Sequence, residues 1–339
     1  MLGKLLSPVR LASAGLILLV ATLAILVTRG SDQYIEIPDN AHPLANLVSV
    51  PGAKPDRNGG IYYVDVLLRP ASLLESHVSF VRPEGSDLIA RTQIVQPGIS
   101  EQERFELDLA TMKVSQTIAS VVALRQLGYR VPITAGGVRV VAVTSGSHAA
   151  GVLRPGDVIV KANGKPVRTR GDLGAVLAPL KPGDMVKITV RRGGKNLTFA
   201  LRTTADKQEP RRAIIGVLPI QALSVKLPFR IAFNLRKVGG PSAGLAFALE
   251  LLEKKGRDVD QGYKVAATGE IQLDGSVTRI GGIKQKTIGA RKSHVDVFLV
   301  PVDGDNARDA KRYAGGLRVI PVKSFQQALQ ALATLPPKG

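Results

Sequence analysis

The hydrophobic pattern changes character several times along the 339 residues. Leu11 to Val27 is apolar and uncharged, flanked by Lys4 and Arg10 before it and Arg29 after it. With Thr28 it makes 18 residues, about 27 Å as a helix and just long enough to span a bilayer. Residues 31–60 are rich in Pro, Gly, Asn and Asp, and Gly60-Ile-Tyr-Tyr-Val-Asp-Val-Leu-Leu68 then reads as a strand by its β-branched and aromatic content. From about Leu107 the spacing turns helical. Met112, Ser115, Ile118, Ala119, Val122 and Leu127 recur mostly at three- and four-residue steps, and Gly128 sits where a C-terminal cap belongs.

Residues 129–205 read as a compact, strand-rich block. Val138–Val143 is predicted as a strand, Ala149–Gly151 as a short helix, and Pro155-Gly-Asp as a turn before a buried strand. A helix follows across Asp172–Leu180, then strands Met185–Arg191 and Leu197–Arg202 joined by Gly193-Gly194. In the last block, Pro228–Phe233 and Val295–Pro301 read as strands, and Leu245–Leu252 as an apolar helix behind Gly239-Gly-Pro-Ser-Ala-Gly244. The mixture predicts an α+β architecture of two to three domains.

Charge and composition narrow the function classes. There are no cysteines, which excludes disulfide scaffolds, thiolate zinc sites and cysteine nucleophiles. The net charge of +19 is uneven: residues 1–125 carry 11 basic and 12 acidic side chains, residues 126–205 carry 13 and 3, and residues 206–339 carry 22 and 12. A basic excess confined to the last two blocks is either a solvated surface or an attraction to anionic lipid or acidic client segments. Low aromatic content and the absence of any nucleic-acid-binding signature argue against nucleic acid.

For the apolar segment, the basic residues ahead of it and the acidic Asp32 and Glu36 behind it place the N-terminus inside. The rival is a cleaved signal peptide, whose apolar core is usually shorter and whose small-x-small cleavage site is not evident near Ala21–Ala24. The expectation is a cytoplasmic stretch 1–10, a transmembrane anchor 11–28, and everything after it outside the cytoplasm.

The chemistry centres on Ser242 and Lys286. A serine at a glycine-led helix start, with a lysine on a second glycine-led helix, outlines a nucleophile whose base is not histidine. Lysine acts as a base only when neutral, so its pKa must fall from about 10.4 towards 7, and desolvation is the expected means. The helical neighbours of Lys286, Ile283, Gly289 and Ala290, are apolar or small, and none is a carboxylate. Backbone N–H groups near Ser242 could hold an oxyanion, with Gly240, Pro241 and Ala243 shaping the approach. Gly-Pro-Ser is also a common helix start with serine as a mere cap. His42, His77, His148 and His294 form no metal-binding motif, and no metal or cofactor is expected.

Two resemblances bear on these residues. Gly151-Val-Leu-Arg-Pro-Gly-Asp-Val-Ile159 followed by Asn163-Gly164 resembles the circularly permuted PDZ domains of bacterial envelope proteases. That resemblance implies a peptide groove between strand 138–143 and helix 172–180, with Gly136, Gly137, Val138 and Val140 as peptide-binding residues. Gly240-Pro-Ser-Ala-Gly244, Thr268-Gly269-Glu270 and Gly281-Gly-Ile-Lys-Gln-Lys286, in this order, are similar to the proteolytic domain of Lon proteases. The resemblance implies Ser242 as nucleophile, Lys286 rather than Lys284 as base, and a supporting role near the lysine for Thr268. Two departures stand out: Gly239 replaces an acidic residue often found there, and Gln285 replaces the usual glutamate. Residues 31–127 and 206–339 would form one Lon-like domain with the PDZ domain, 129–205, inserted. Anchor, PDZ and Lon-like parts together resemble the membrane-anchored, PDZ-containing Lon-like proteases of bacteria.

No Gly-x-x-x-x-Gly-Lys-[Ser/Thr] loop occurs in these residues. The reading that follows is an ATP-independent serine endopeptidase cleaving unfolded or disordered extracytoplasmic or membrane proteins, with the PDZ domain recruiting or gating clients. Its partners would be protein or peptide substrates, the plasma membrane through the N-terminal helix, and further copies in a ring, but no nucleic acid. The alternative is a catalytically silent, membrane-tethered PDZ scaffold. A self-processing protease is a third reading.

Overall fold

A computed structural model describes residues 8–54, 59–95, 99–207, 209–235, 238–336 and 338. Most of the predicted cytoplasmic stretch, Lys4 included, lies outside the described residues. Helix α1, Pro8–Thr28, carries no buried residue and leads into strand β1, Gly30–Pro43. Strand β2, Gly60–Ser72, is four residues longer than its sequence pattern suggests, and β3 spans Asp87–Ala90. Helix α2, Glu101–Gln126, starts a turn and a half before the apolar periodicity does. Ser100 and Glu103 close a capping box there, each bonding the other's backbone N–H, and Gly128 at φ +85° ends the helix. Both α1 and α2 are long and apolar enough to cross a membrane, but α2 lies partly buried in the body of the protein.

The middle block contains β4, Ile133–Val143; β5, Val158–Ala162; helix α3, Arg170–Leu177; β6, Met185–Arg192; and β7, Lys195–Arg202. The short helix expected at Ala149–Gly151 is a pair of turns. Strand β8, Val217–Val225, then crosses back. The chain continues through helix α4, Gly244–Lys254; β9, Lys264–Ala267; β10, Glu270–Ile271; helix α5, Ile283–Lys292; β11, Val297–Pro301; helix α6, Asn306–Tyr313; β12, Arg318–Val322; and helix α7, Phe325–Ala333. The strand expected over Pro228–Phe233 shrinks to Ala232–Phe233, paired with Val48–Ser49. Its other apolar residues, Phe229 and Ile231, pack beside the core.

One sheet has the order β12-β11-β9-β2-β1-β3, parallel from β12 to β2 and antiparallel thereafter. It joins strands from both ends of the chain, so the block 133–202 lies between two stretches of a single sheet. Its centre is buried on both faces, as its Val- and Ala-rich strands require. Val265, Ala267, Val297 and Leu299 turn to one side with Phe247 and Leu249 of α4, while Ala266, Phe298 and Val300 turn to the other with Ile283 and Ala290 of α5. Gly289 lets α5 lie directly on β1, because a Cβ there would collide with the Asp39 carbonyl.

The second sheet runs β8-β4-β5-β6-β7, all antiparallel, over a core that includes Val138, Ile159 and Ile188. Its outer residues Val141, Ala142, Leu218 and Ile220 pack on Leu107, Ala110 and Val114 of α2. Helix α2 therefore packs on the second sheet with one face and on α4 with another. Substituting Gly289 with valine should destabilise the fold by about 2 kcal/mol or more, seen as a lowered thermal midpoint for the full chain in detergent.

Candidate active site

The site lies at the C-terminal end of β9, where α4 and α5 meet from opposite faces of the first sheet. Ser242 stands two residues before α4, not within it, and Ala243 is the capping residue. Its main chain is fixed by β9's continuation: the Gly269 N–H donates to the Ser242 carbonyl at 2.8 Å and the Thr268 hydroxyl donates to it at 3.2 Å. Thr268 is fully buried, and its one side-chain bond among the described residues goes to the main chain of Ser242, whose hydroxyl meets Lys286. The Ser115 hydroxyl of α2 donates to the Pro241 carbonyl at 2.9 Å.

Lys286 Nζ lies 2.7 Å from Ser242 Oγ. The lysine is 3 % exposed, and burial pulls its pKa down to about 8. Two carboxylates oppose that pull, Asp65 of β2 first and Glu36 of β1 second. The lysine's neighbours on its own helix include no carboxylate, as its sequence predicts, and both acids come from other elements. Strands β1 and β2 bring the acids in from positions more than 200 residues away. Burial pushes both carboxyls above their ordinary range; the charge of Lys286 draws Glu36 back, and His42 ahead of Lys286 draws Asp65 back. Gly282, left-handed at φ +67°, starts α5 against Glu36, since a Cβ there would stand 2.7 Å from Glu36 Oε1.

The neighbours of Lys286 separate the two candidate lysines. Lys284 pairs with Asp87 at 2.7 Å on the surface side. Gln285, buried, donates to Asp87 Oδ2 at 2.8 Å and to the Gly85 carbonyl at 3.3 Å. A glutamate there would face Asp87 with like charge, which accounts for the amide. Gly239 is equally tied to its surroundings: a Cβ would meet Asp108 Cβ at 2.6 Å, so α2 occupies the space a side chain would need.

The supporting residues divide by function. The Gly240 N–H donates to the Asp108 carbonyl at 2.8 Å, and Pro241 has no N–H, so neither supplies an oxyanion donor. The N–H groups of Ser242 and Ala243 make no hydrogen bond to other described residues and remain available for one. None of the four histidines bonds Ser242. His42 faces Asp39 and Asp65, His77 lies against Ser76, His148 against Thr204, and His294 is exposed in a left-handed turn after α5.

The β4 edge expected to take a peptide is already paired, and the open cleft beside α3, about 760 Å³ and lined by Leu173, Leu177, Ile215 and Val217, lies against the start of β8 instead. Strand β8 runs antiparallel along β4 from Val217 opposite Val143 to Val225 opposite Ile133. The stretch Ala135–Val138 is strand, paired to Leu223, Ala222 and Gln221. Val138 and Val140 point into the block's core with no exposed surface. Gly137 is pressed against the Ile159 carbonyl, where no Cβ fits.

Two stretches of the chain match known domain families. Residues 236–334 match the family description of a Lon protease (S16) C-terminal proteolytic domain, and residues 125–203 match that of a PDZ domain. The chain carries a Lon-type proteolytic domain behind a PDZ domain. The Lon protease of Buchnera aphidicola is 33% identical over 150 residues, covering 41% of this chain and 19% of that protein. The mitochondrial Lon protease homologue of Drosophila melanogaster is 46% identical over 65 residues, covering 19% and 6%. The crystal structure of a PDZ domain from an SdrC-like protein of Listeria monocytogenes is 31% identical, covers 25% of this chain and 88% of its own, and has a TM-score of 0.24. The chain spans about a fifth or less of the length of these curated relatives.

The arrangement in the Lon-type domain makes a defined pH prediction. Only the neutral amine accepts the serine proton, so acylation of Ser242 by a fluorophosphonate should rise with pH and reach half its maximum near the lysine's pKa of about 8. Asp65 favours the ammonium, so Asp65→Asn should move that midpoint to lower pH.

Proposed function

We propose that this protein is a serine endopeptidase in which Ser242 attacks the scissile carbonyl and Lys286 is the general base. The observation that carries this reading is the 2.7 Å contact between a half-buried serine hydroxyl and a buried lysine amine, within residues that match a proteolytic domain. As the Oγ–carbonyl bond forms, the hydroxyl proton passes to Nζ, and the oxyanion takes up the N–H groups of Ser242 and Ala243. The ammonium returns its proton to the departing amine. A water, deprotonated by the same lysine, then releases the acyl group. No step consumes a nucleotide, and we assign the cleavage as ATP-independent.

The same reading places α1 in the plasma membrane with the PDZ and Lon-type parts outside the cytoplasm, supported by the wholly exposed apolar surface of Pro8–Thr28 and by the charges flanking it. Substrates would be unfolded or disordered chains that can enter a cleft in extended form. The PDZ domain would recruit or gate clients, with the open cleft between α3 and the start of β8, not the paired β4 edge, as its peptide site. The alternative scaffold reading has to account for a lysine buried against a serine at the cost of its charge, which binding alone does not call for.

The test is cleavage of casein by the full chain in detergent without ATP. Ser242→Ala and Lys286→Ala should each lower kcat by about 10⁴-fold while the thermal unfolding remains cooperative. Undiminished cleavage in either variant would falsify the assignment.

A further inference from the structure

Helix α1 ends at a corner of the body that carries apolar surface of its own. The Arg29 carbonyl, just past the helix, accepts the Leu73 N–H at 2.8 Å, and a helical turn, Leu73–His77, packs against the end of α1. A second turn, Ser79–Val81, follows at once. Between α1 and these turns lies an open cleft of about 550 Å³ whose apolar walls are Val27, Leu74 and Val81. Val27 and Val81 are exposed, and Phe80 is 88 % exposed, the most exposed large apolar side chain among the described residues.

Hydrogen bonds fix these turns. Glu75 closes a capping box with Ser72 and accepts two bonds from Arg69, at 2.9 and 2.6 Å. The Arg82 side chain donates to the carbonyls of Glu75 at 2.6 Å and Ser76 at 3.3 Å, which pins the turn that bears Phe80. Charge at the corner nearly balances, with Arg29, Arg69 and Arg82 against Asp32 and Glu75, so apolar contact and not attraction to anionic lipid has to carry any docking. The anchor sets the level. An apolar run that just spans about 30 Å of hydrocarbon leaves Val27 at its outer boundary and Arg29 among the headgroups. Val81 shares the cleft with Val27, and the Cα of Phe80 lies about 3.8 Å from that of Val81. The headgroup layer is about 5–7 Å deep on each side, so both side chains fall within it.

We propose that the turn Ser79–Val81 docks into the outer headgroup layer of the bilayer that α1 spans, with Phe80 and Val81 inserted beside Val27. The body then stands on the membrane at two points instead of swinging from one. The occupant is lipid and not a second copy, because the patch continues the lipid-facing surface of the anchor at the same level. Strand β1 leaves this corner and carries Glu36 to the site, so the second contact sets the stance of the active site over the bilayer. This rests on the reading of α1 as a membrane anchor and adds a second membrane contact to it.

The chain holds no tryptophan, so Phe80→Trp introduces a single indole. The full chain is placed in nanodiscs of uncharged phosphatidylcholine, with or without bromine on the acyl chain near the headgroup. Bromolipid should remove most of the fluorescence of that indole, and acrylamide in the water should remove little. Val81→Trp should behave alike, and adding Phe80→Glu to it should return its indole to acrylamide. Leu19→Trp, in the middle of α1, reports on the anchor and should be quenched by bromine deep in the chain. An indole at position 80 that is open to acrylamide and untouched by bromolipid, while that at position 19 is quenched, overturns the docking and leaves the anchor intact. Shielding of position 80 from both quenchers means a protein partner, a second copy included, and overturns it as well. Should the indole at position 19 also escape bromolipid, the anchor reading falls together with the docking.

Discussion

A primary amine buried against a hydroxyl is the constraint on which the rest of this structure depends. Left alone in an apolar pocket, Lys286 would lose its proton far below its ordinary range; left in water, it would keep its charge and be no base. The fold sets a point between these limits. Helix α5 buries the amine, while Glu36 and Asp65, arriving on neighbouring strands, return part of the charge. The result is a lysine near 8, still mostly ammonium at neutral pH but within reach of its neutral form. Several backbone features serve that placement: the left-handed Gly282 that starts α5 against Glu36, the bare Gly289 that lets the helix settle on β1, and the Gly269 and Thr268 bonds that hold Ser242 in range.

The second organising element is β8. A PDZ domain ordinarily offers the edge of one strand to a peptide in trans, and the backbone groups of that edge are costly to leave unpaired in a partly buried groove. Here β4 is paired on both edges, with β5 and with β8 from just beyond the block, and the open cleft lies between α3 and the start of β8, which carries on into the Lon-type domain. The pairing satisfies the edge and ties the orientation of the PDZ domain to the active-site cleft. Helix α2 reinforces the tie, because one of its faces packs on the PDZ sheet and another on α4.

Much of this was legible in the residues. The apolar run before Arg29, the strand at Gly60, and the motifs around Ser242 and Lys286 all lie where local pattern put them. The start of α2 was legible too, in the Ser100–Glu103 capping box, but hydrophobic periodicity begins later and draws attention away from it. The short helix at Ala149 and the long strand at Pro228 failed for a different reason. Small residues and β-branched residues permit those elements, but tertiary contacts used the same residues as turns and as core-packing loops instead.

Sequence by itself determined the composition of the candidate site, a serine and a lysine each behind a glycine-led motif, because side-chain type and tight turns are properties of residue identity and local spacing. Tertiary structure alone decided the electrostatic balance and the state of the groove. The carboxylates that tune Lys286 come from strands more than 200 residues earlier, and the strand that closes the PDZ edge lies some 80 residues after the one it pairs with. Both are long-range meetings set by sheet order, and no local pattern encodes which strands become neighbours.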